Sequence, residues 1–270
     1  MGVFSKLTIL GLAMLVILEL YTSCSKEEEP SIEPYLAKIE VVEHSVKLGE
    51  RTPNGELYER YLYNADGLLT TKETNYYNSF YRTRLYNIYT YRYDEANKLQ
   101  IRYEETFASQ RKFVYEYNEL DSVSKIKQYY TDSGELISVV TNEYDHNGNK
   151  ILSSEEYSFQ TTITSFYYDK NTVTEVIVNS KKDDAKDTII RSYDERNNLI
   201  KVEKPDDKID TYEYDSNNRL IKCSLADNLI GSILTFYDYH YNADGKIDYI
   251  RVTHSNSDII SDLVYNYEWK

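Results

Sequence analysis

From Leu57 to the C-terminus, apolar and polar residues alternate in short runs. Rings fall at every second position in Tyr89, Tyr91, Tyr93; in Phe113, Tyr115, Tyr117; and in Tyr237, Tyr239, Tyr241. The last run is Leu263, Tyr265, Tyr267, Trp269. The residues between rings are mainly polar, among them Arg92, Glu116, Glu143, Glu213, His240 and Asn266. A period of two describes a strand with one aromatic face and one wet face. Loop-type residues bound each run, and no stretch after the N-terminal leader has helical spacing. The pattern therefore predicts an all-β chain: one long antiparallel meander of about 17 or 18 strands. Ile39 to Leu48 reads as the opening strand.

The strands belong to a repeated unit, Tyr-x-Tyr-[Asp/Asn]-x-x-[Gly/Asn]-x-aliphatic. Its second tyrosine stands at Tyr63, Tyr93, Tyr117, Tyr144, Tyr168, Tyr193, Tyr214, Tyr241 and Tyr267. The spacing of about 25 residues is that of a repeat architecture. Asn142, Phe166 and Arg191 replace the first tyrosine in three copies. The Asp or Asn after the second tyrosine can bond the backbone two residues on. Four residues after that tyrosine come Gly67, Asn97, Asp121, Gly148, Asn197, Asn218 and Gly245, types that tolerate positive φ. This predicts a hairpin turn closed by a left-handed residue. The copy at Tyr168 is shorter, so Lys170 and Asn171 form a tighter loop. Return strands begin at Leu69, Leu99, Val123, Leu199, Leu220 and Ile247, and a three-residue apolar step there predicts a bulge. The last copy ends after Tyr267, as a terminal cap would. The variable connections lie at the opposite end of the sheet, the longest being Asn75 to Asn87.

Tyr214, Asp215, Asn218, Arg219 and Leu220 resemble the YD repeat of RHS-type proteins, Tyr-x-Tyr-Asp-x-x-Gly-Arg-Leu, with Asn in place of Gly. The arrangement is also similar to tyrosine-rich Bacteroidetes lipoproteins of unknown function with a porin-like fold. The resemblance implies a long antiparallel sheet, curled into a barrel-like shell or left as a twisted open sheet. It implies no active site.

Residues 1–23 read as a signal peptide: Lys6, then an apolar run from Leu7 to Leu18, too short to span a bilayer. Thr22, Ser23 and Cys24 resemble a lipobox, which implies cleavage before Cys24 and lipid on its sulfur. Residues 24–35 are a tether opened by Ser25, Lys26, Glu27, Glu28 and Glu29, too charged to bury surface. The acidic run resembles the tag of lipoproteins exported to the outer face of the outer membrane. Residues 36–270 form the β domain.

Composition narrows the function. The chain carries 30 Tyr and a formal net charge of −14, which argues against nucleic acid as a partner. Lipidation of Cys24 would leave Cys223 without a disulfide partner, as a small core residue. His44, His146, His240 and His254 are too scattered for a metal site, and no cofactor motif appears. Asp145, Asn147 and Asn149 alternate like a calcium loop but lack its following Gly and distant Glu. No Gly-x-Ser-x-Gly elbow occurs. The expectation is a non-enzymatic surface lipoprotein that binds a glycan or another surface protein. Two alternatives stand beside it: a glycoside-cleaving enzyme with a carboxylate pair in a tyrosine-lined cleft, and an integral outer-membrane barrel. The densest rings, Tyr89, Tyr91, Tyr115, Tyr237 and Tyr239, are the candidate ligand contacts. The competing reading is that the ladder is simply the core.

Overall fold

The computed structural model describes residues 35–47, 49–78, 83–180, 186–226, 234–255 and 257–270. The signal peptide, Cys24 and the acidic tether lie outside the described residues. Every element is a strand: β1 (Leu36–Lys47), β2 (Glu50–Arg51), β3 (Glu56–Tyr63), β4 (Leu69–Asn78), β5 (Thr83–Tyr93), β6 (Leu99–Glu105), β7 (Gln110–Tyr117), β8 (Val123–Tyr130), β9 (Leu136–Tyr144) and β10 (Lys150–Tyr157). Then come β11 (Gln160–Asp169), β12 (Thr172–Asn179), β13 (Lys186–Tyr193), β14 (Leu199–Lys204), β15 (Lys208–Tyr214), β16 (Leu220–Ala226), β17 (Leu234–Tyr241), β18 (Ile247–His254) and β19 (Ser257–Trp269).

All pairings are antiparallel, and from β3 onward each strand pairs with the next in sequence. β1 lies between β3 and β19, pairing Ile39 with Tyr61 on one side and with Tyr267 on the other. The 19-stranded sheet is thus a closed ring of eighteen strands, with the two-residue β2 attached to β1 alone. Closure corrects two expectations. The last copy of the repeat is not a cap, because β19 seals the ring, and no open sheet edge is left there to blunt. The connection expected at 75–87 is mostly strand, since β4 runs to Asn78 and β5 starts at Thr83. Alternation continues through Asn75, Asn87 and the residues beside them, and pairing overrides their loop-type composition.

The repeat turns are built alike. In seven copies the Asp or Asn after the second tyrosine accepts two backbone N–H groups through Oδ1, from residues two and four further on. Asp215, for example, accepts from Asn217 and Arg219, and Asn64 from Asp66 and Leu68. The same pair of bonds recurs at Asp94, Asn118, Asp145, Asp194 and Asn242. Gly67, Gly148 and Gly245 close their turns at φ 75°, 81° and 77°, and Asn97, Asn197 and Asn218 at 62°, 64° and 66°. The short copy turns through Lys170 at φ 46°. Asp145 is thereby engaged as a turn residue; the hydrogen bonds from Asn149 hold its carboxyl below the usual range.

A register shift follows each of these longer turns, between Leu62 and Tyr63 or His240 and Tyr241, for instance. The extra residue is the predicted bulge. It faces outward, and Ile151, Ile200 and Ile221 are exposed for that reason.

The Tyr-x-Tyr face is the inner face of the barrel. Ile39, Val41, Tyr61, Ile247, Ile250 and Leu263 form one buried cluster on β1, β3, β18 and β19. Val202, Tyr212 and Cys223 form a second on β14–β16. Cys223 is 1% exposed, and burial pushes its thiol up to about 12, so it serves as a small core residue.

Candidate functional site: the tyrosine-lined inner face

The second tyrosine of the unit does more than fill space. Its hydroxyl donates to a main-chain carbonyl at the start of the preceding return strand. Tyr93 reaches Leu69 O at 2.9 Å, Tyr117 reaches Leu99 O at 2.8 Å, and Tyr144 reaches Val123 O at 2.7 Å. Tyr168, Tyr214, Tyr241 and Tyr267 do the same to Lys150, Leu199, Leu220 and Ile247. Each accepting residue stands just before a bulge, where the ladder is interrupted. The hydroxyl therefore satisfies a carbonyl that the register shift sets free, and it stitches one repeat to the one before. At about 0.5–1.5 kcal/mol each, these bonds matter mainly because an unmade one is costly. A cation often covers the same ring: Arg219 lies 4.6 Å from the Tyr241 centre and Lys98 5.8 Å from that of Tyr117. Sequence reading missed this clip. Its signal was that all copies keep the second tyrosine while three lose the first.

The five candidate ligand contacts all point inward, but the structure does not bring them together. Tyr89 and Tyr91 lie on β5, and Tyr115 on β7, while Tyr237 and Tyr239 lie on β17. β18, β19, β1, β3 and β4 separate the two groups around the ring. Tyr89 is 4% exposed and packs as core; the other four are half-buried. Burial raises the hydroxyls of Tyr91 and Tyr239 well above the ordinary tyrosine range. Tyr239 also lies 3.9 Å from the Cys223 sulfur. These rings are occupied in holding the wall.

Charged groups interrupt the inner face in pairs. Lys72 bridges to Glu59, which also accepts the Tyr61 hydroxyl. Lys204 lies 2.5 Å from Asp210, a carboxylate with 1% exposure that also accepts the Ala226 N–H. Arg191 reaches Glu175 at 2.9 Å, and burial nonetheless raises the Glu175 carboxyl. On β8–β10 the wall is uncharged amide and hydroxyl beside one acid. Ser138 donates to Gln128 at 3.2 Å and Tyr157 to Glu155 at 2.7 Å, and burial pushes the Tyr157 hydroxyl up to about 12. Among the described residues, no three His, Cys, Asp or Glu side chains converge as metal ligands would.

Ion pairs lie on the outer face of β1, β3, β4, β7, β8, β14, β18 and β19. Arg60 holds Glu40 and Glu73, each at 2.9 Å. Lys38 holds Glu268 at 2.7 Å, Lys127 holds Glu116, and Lys201 holds Glu203. Asp262 is fully buried between Arg251 and Arg51, the latter carried over the wall by β2. Burial alone would raise the Asp262 carboxyl, but the bonds from Arg251 and Arg51 outweigh it and hold the group low.

No protein-family model and no curated protein matches the chain. Among solved structures, the chain is similar to a porin-like protein from Bacteroides uniformis ATCC 8492, with 13% identity and a TM-score of 0.48 over 89% of this chain and 100% of that one. It is also similar to TcdB2-TccC3 without its hypervariable C-terminal region, with 12% identity and a TM-score of 0.38 over 77% of this chain. A third similarity is to the Tc holotoxin pore of Photorhabdus luminescens, with 12% identity and a TM-score of 0.36 over 90% of this chain. The chain spans 13% of the length of each of these two toxin chains.

Proposed function

We propose that the protein is a non-enzymatic binding module, held by lipid on Cys24 at the outer surface of the outer membrane, whose barrel stands in water and binds a glycan. The observation that carries the placement in water is the set of ion pairs on the outer face of β1, β3, β4, β7, β8, β14, β18 and β19. A lipid-facing cation costs about 2–4 kcal/mol at mid-bilayer. Arg60, Lys127, Lys201 and Arg251 together would cost about 8–16 kcal/mol on that scale. That equals the whole stability of an ordinary domain, about 5–15 kcal/mol. Height argues the same way. A strand of 8 residues such as β3, at about 3.3 Å per residue and a tilt of about 40°, gives a wall roughly 20 Å tall. A membrane barrel needs an apolar band of about 25 Å.

The tether would join the barrel at one rim. Tyr35 and Lys270 exchange backbone hydrogen bonds of 3.0 Å beside the repeat turns. A lipid at Cys24 therefore brings the repeat-turn rim toward the membrane and carries the variable connections away from it. Ligands arriving from outside meet the variable rim first, where Phe107 and Phe159 are 68% and 60% exposed.

Mass spectrometry of the N-terminal peptide from membrane-extracted protein tests the anchor. The expected species is a diacylglyceryl thioether on Cys24, and an unmodified Cys24 overturns the reading. Binding is tested on a glycan array with the full chain; a protein partner captured in place of any sugar would contradict the ligand class.

A further inference from the structure

We propose that the outer wall of β6–β9, beside the variable rim, is a binding site for an acidic oligosaccharide, seated across Tyr103, Lys112 and Tyr129. The inference rests on reading the barrel as a glycan-binding module, and it places the ligand on the outside rather than on the inner ladder. Tyr103 pairs with Lys112, and Lys112 pairs with Tyr129. Residues directly opposite one another share a face and stand in contact range. The three side chains therefore form one row across three strands. With Val114 as floor they line a depression of about 440 Å³, closed on one side by the turn after β8. That volume is in the range of small-ligand sites. The closing turn is fixed by its own backbone: Gly134 N–H donates to Tyr130 O, Tyr130 N–H to Glu135 O, and Thr131 N–H to Gln110 O.

Charge identifies the ligand. Arg60, Lys38, Lys127, Lys201 and Arg251 on the outer wall are all paired with carboxylates. Lys112, among the described residues, has no carboxylate partner, although the chain carries 45 Asp and Glu. Arg92 brings a second cation to the edge of the row, 5.1 Å from the Tyr103 ring centre. Two rings flanking an ammonium suit a sugar chain bearing a carboxylate. Each tyrosine offers a flat apolar face and a hydroxyl. Tyr103 and Tyr129 are two strand spacings apart, about 10 Å, which spans two sugar rings rather than one. The ammonium between them meets the acid group, a charge-assisted bond. An acidic peptide would use Lys112 but leave the paired ring faces idle.

The test uses the full chain in mild detergent, with short oligogalacturonates and the same oligomers after reduction of their carboxyl groups to alcohols. We expect the acidic oligomers to bind at least about tenfold more tightly than the neutral ones, the scale of a hydrogen bond to a charged group. Lys112→Gln should erase that preference. Tyr129→Ala should weaken both sets, and Lys125→Gln, outside the row, should change neither. Thermal midpoints near that of the parent show that the variants remain folded. Equal binding of both oligomers with no effect of Lys112→Gln overturns this site and leaves the module reading standing. Binding of no sugar of any kind overturns both, as does capture of an acidic peptide alone through Lys112.

Discussion

Two arcs of the same inner wall differ sharply, although one repeat builds both. The arc from β14 through β19 to β1 and β3 carries Ile39, Val41, Tyr61, Val202, Tyr212, Ile247 and Ile250, each at most 7% exposed. Across β8–β12 the buried residues are Gln128, Ser138 and Asn142, and none is apolar. Apart from the short, bulge-free turn between β11 and β12, both arcs carry the same turns and bulges, and tyrosine clips occur in both. The fold therefore needs the turn and the second tyrosine in every copy, while packing of the first tyrosine's position is free to vary. Asn142 shows how. It replaces a ring, and its Nδ2 donates to Val123 O at 2.8 Å, the carbonyl that the Tyr144 hydroxyl also reaches. A polar side chain at that place joins the clip in place of packing.

Truncation should separate the arcs most strongly. Tyr61→Ala removes a buried ring and the hydroxyl that Glu59 accepts, leaving Lys72 as that carboxylate's partner, at a cost of about 3–5 kcal/mol. Val140→Ala, at a half-buried inner-face site on β9 opposite Glu155, should cost no more than about 1 kcal/mol. Equal losses in urea unfolding would erase the distinction.

Alkaline pH should act on the packed arc next. Burial holds the hydroxyls of Tyr61, Tyr239 and Tyr265 well above the ordinary value of 10.0. The unfolded chain loses those protons near its own pKa while the fold keeps them, so above it the unfolded state binds fewer protons. The stability is complete below the unfolded pKa and is lost as pH rises toward the folded values. The urea midpoint should therefore fall steeply above pH 10.0. A flat profile would mean that these hydroxyls meet water.

The rims give a finer test. Gly148 has φ 81° and nothing within 4 Å of an added Cβ, so Gly148→Val reports backbone strain alone, about 1–2 kcal/mol. Gly55 sits on the variable side against Val42 and His44, where a Cβ would collide. Gly55→Ala should therefore loosen the β2 strap over Asp262, and a raised Asp262 pKa by NMR would report it. The smallest effect is at the clip. Tyr241→Phe removes one hydroxyl from Leu220 O and should cost about 1 kcal/mol. No loss at Tyr241 would return that ring to simple packing.

Much of this was legible along the chain. Period-two alternation marked the aromatic face, Asp215 and its counterparts marked the turns, and the three-residue step marked the bulge. Ring closure was not legible, because nothing local in β19 distinguishes a strand that meets β1 from one that meets a following copy. The spacing of the candidate contacts was hidden for the same reason: local ring density chose β5, β7 and β17, and closure sets them apart around the ring. The clip and the Tyr103–Lys112–Tyr129 row depend on register across strands, which no single stretch contains.

The central proposal is that this barrel, with its repeat tyrosines inward and ion pairs such as Arg60 with Glu40 and Glu73 outward, stands in water. Expression of residues 25–270 without detergent tests it most directly. The account predicts a monodisperse, β-rich protein with a cooperative urea transition. Folding that strictly requires detergent would contradict it.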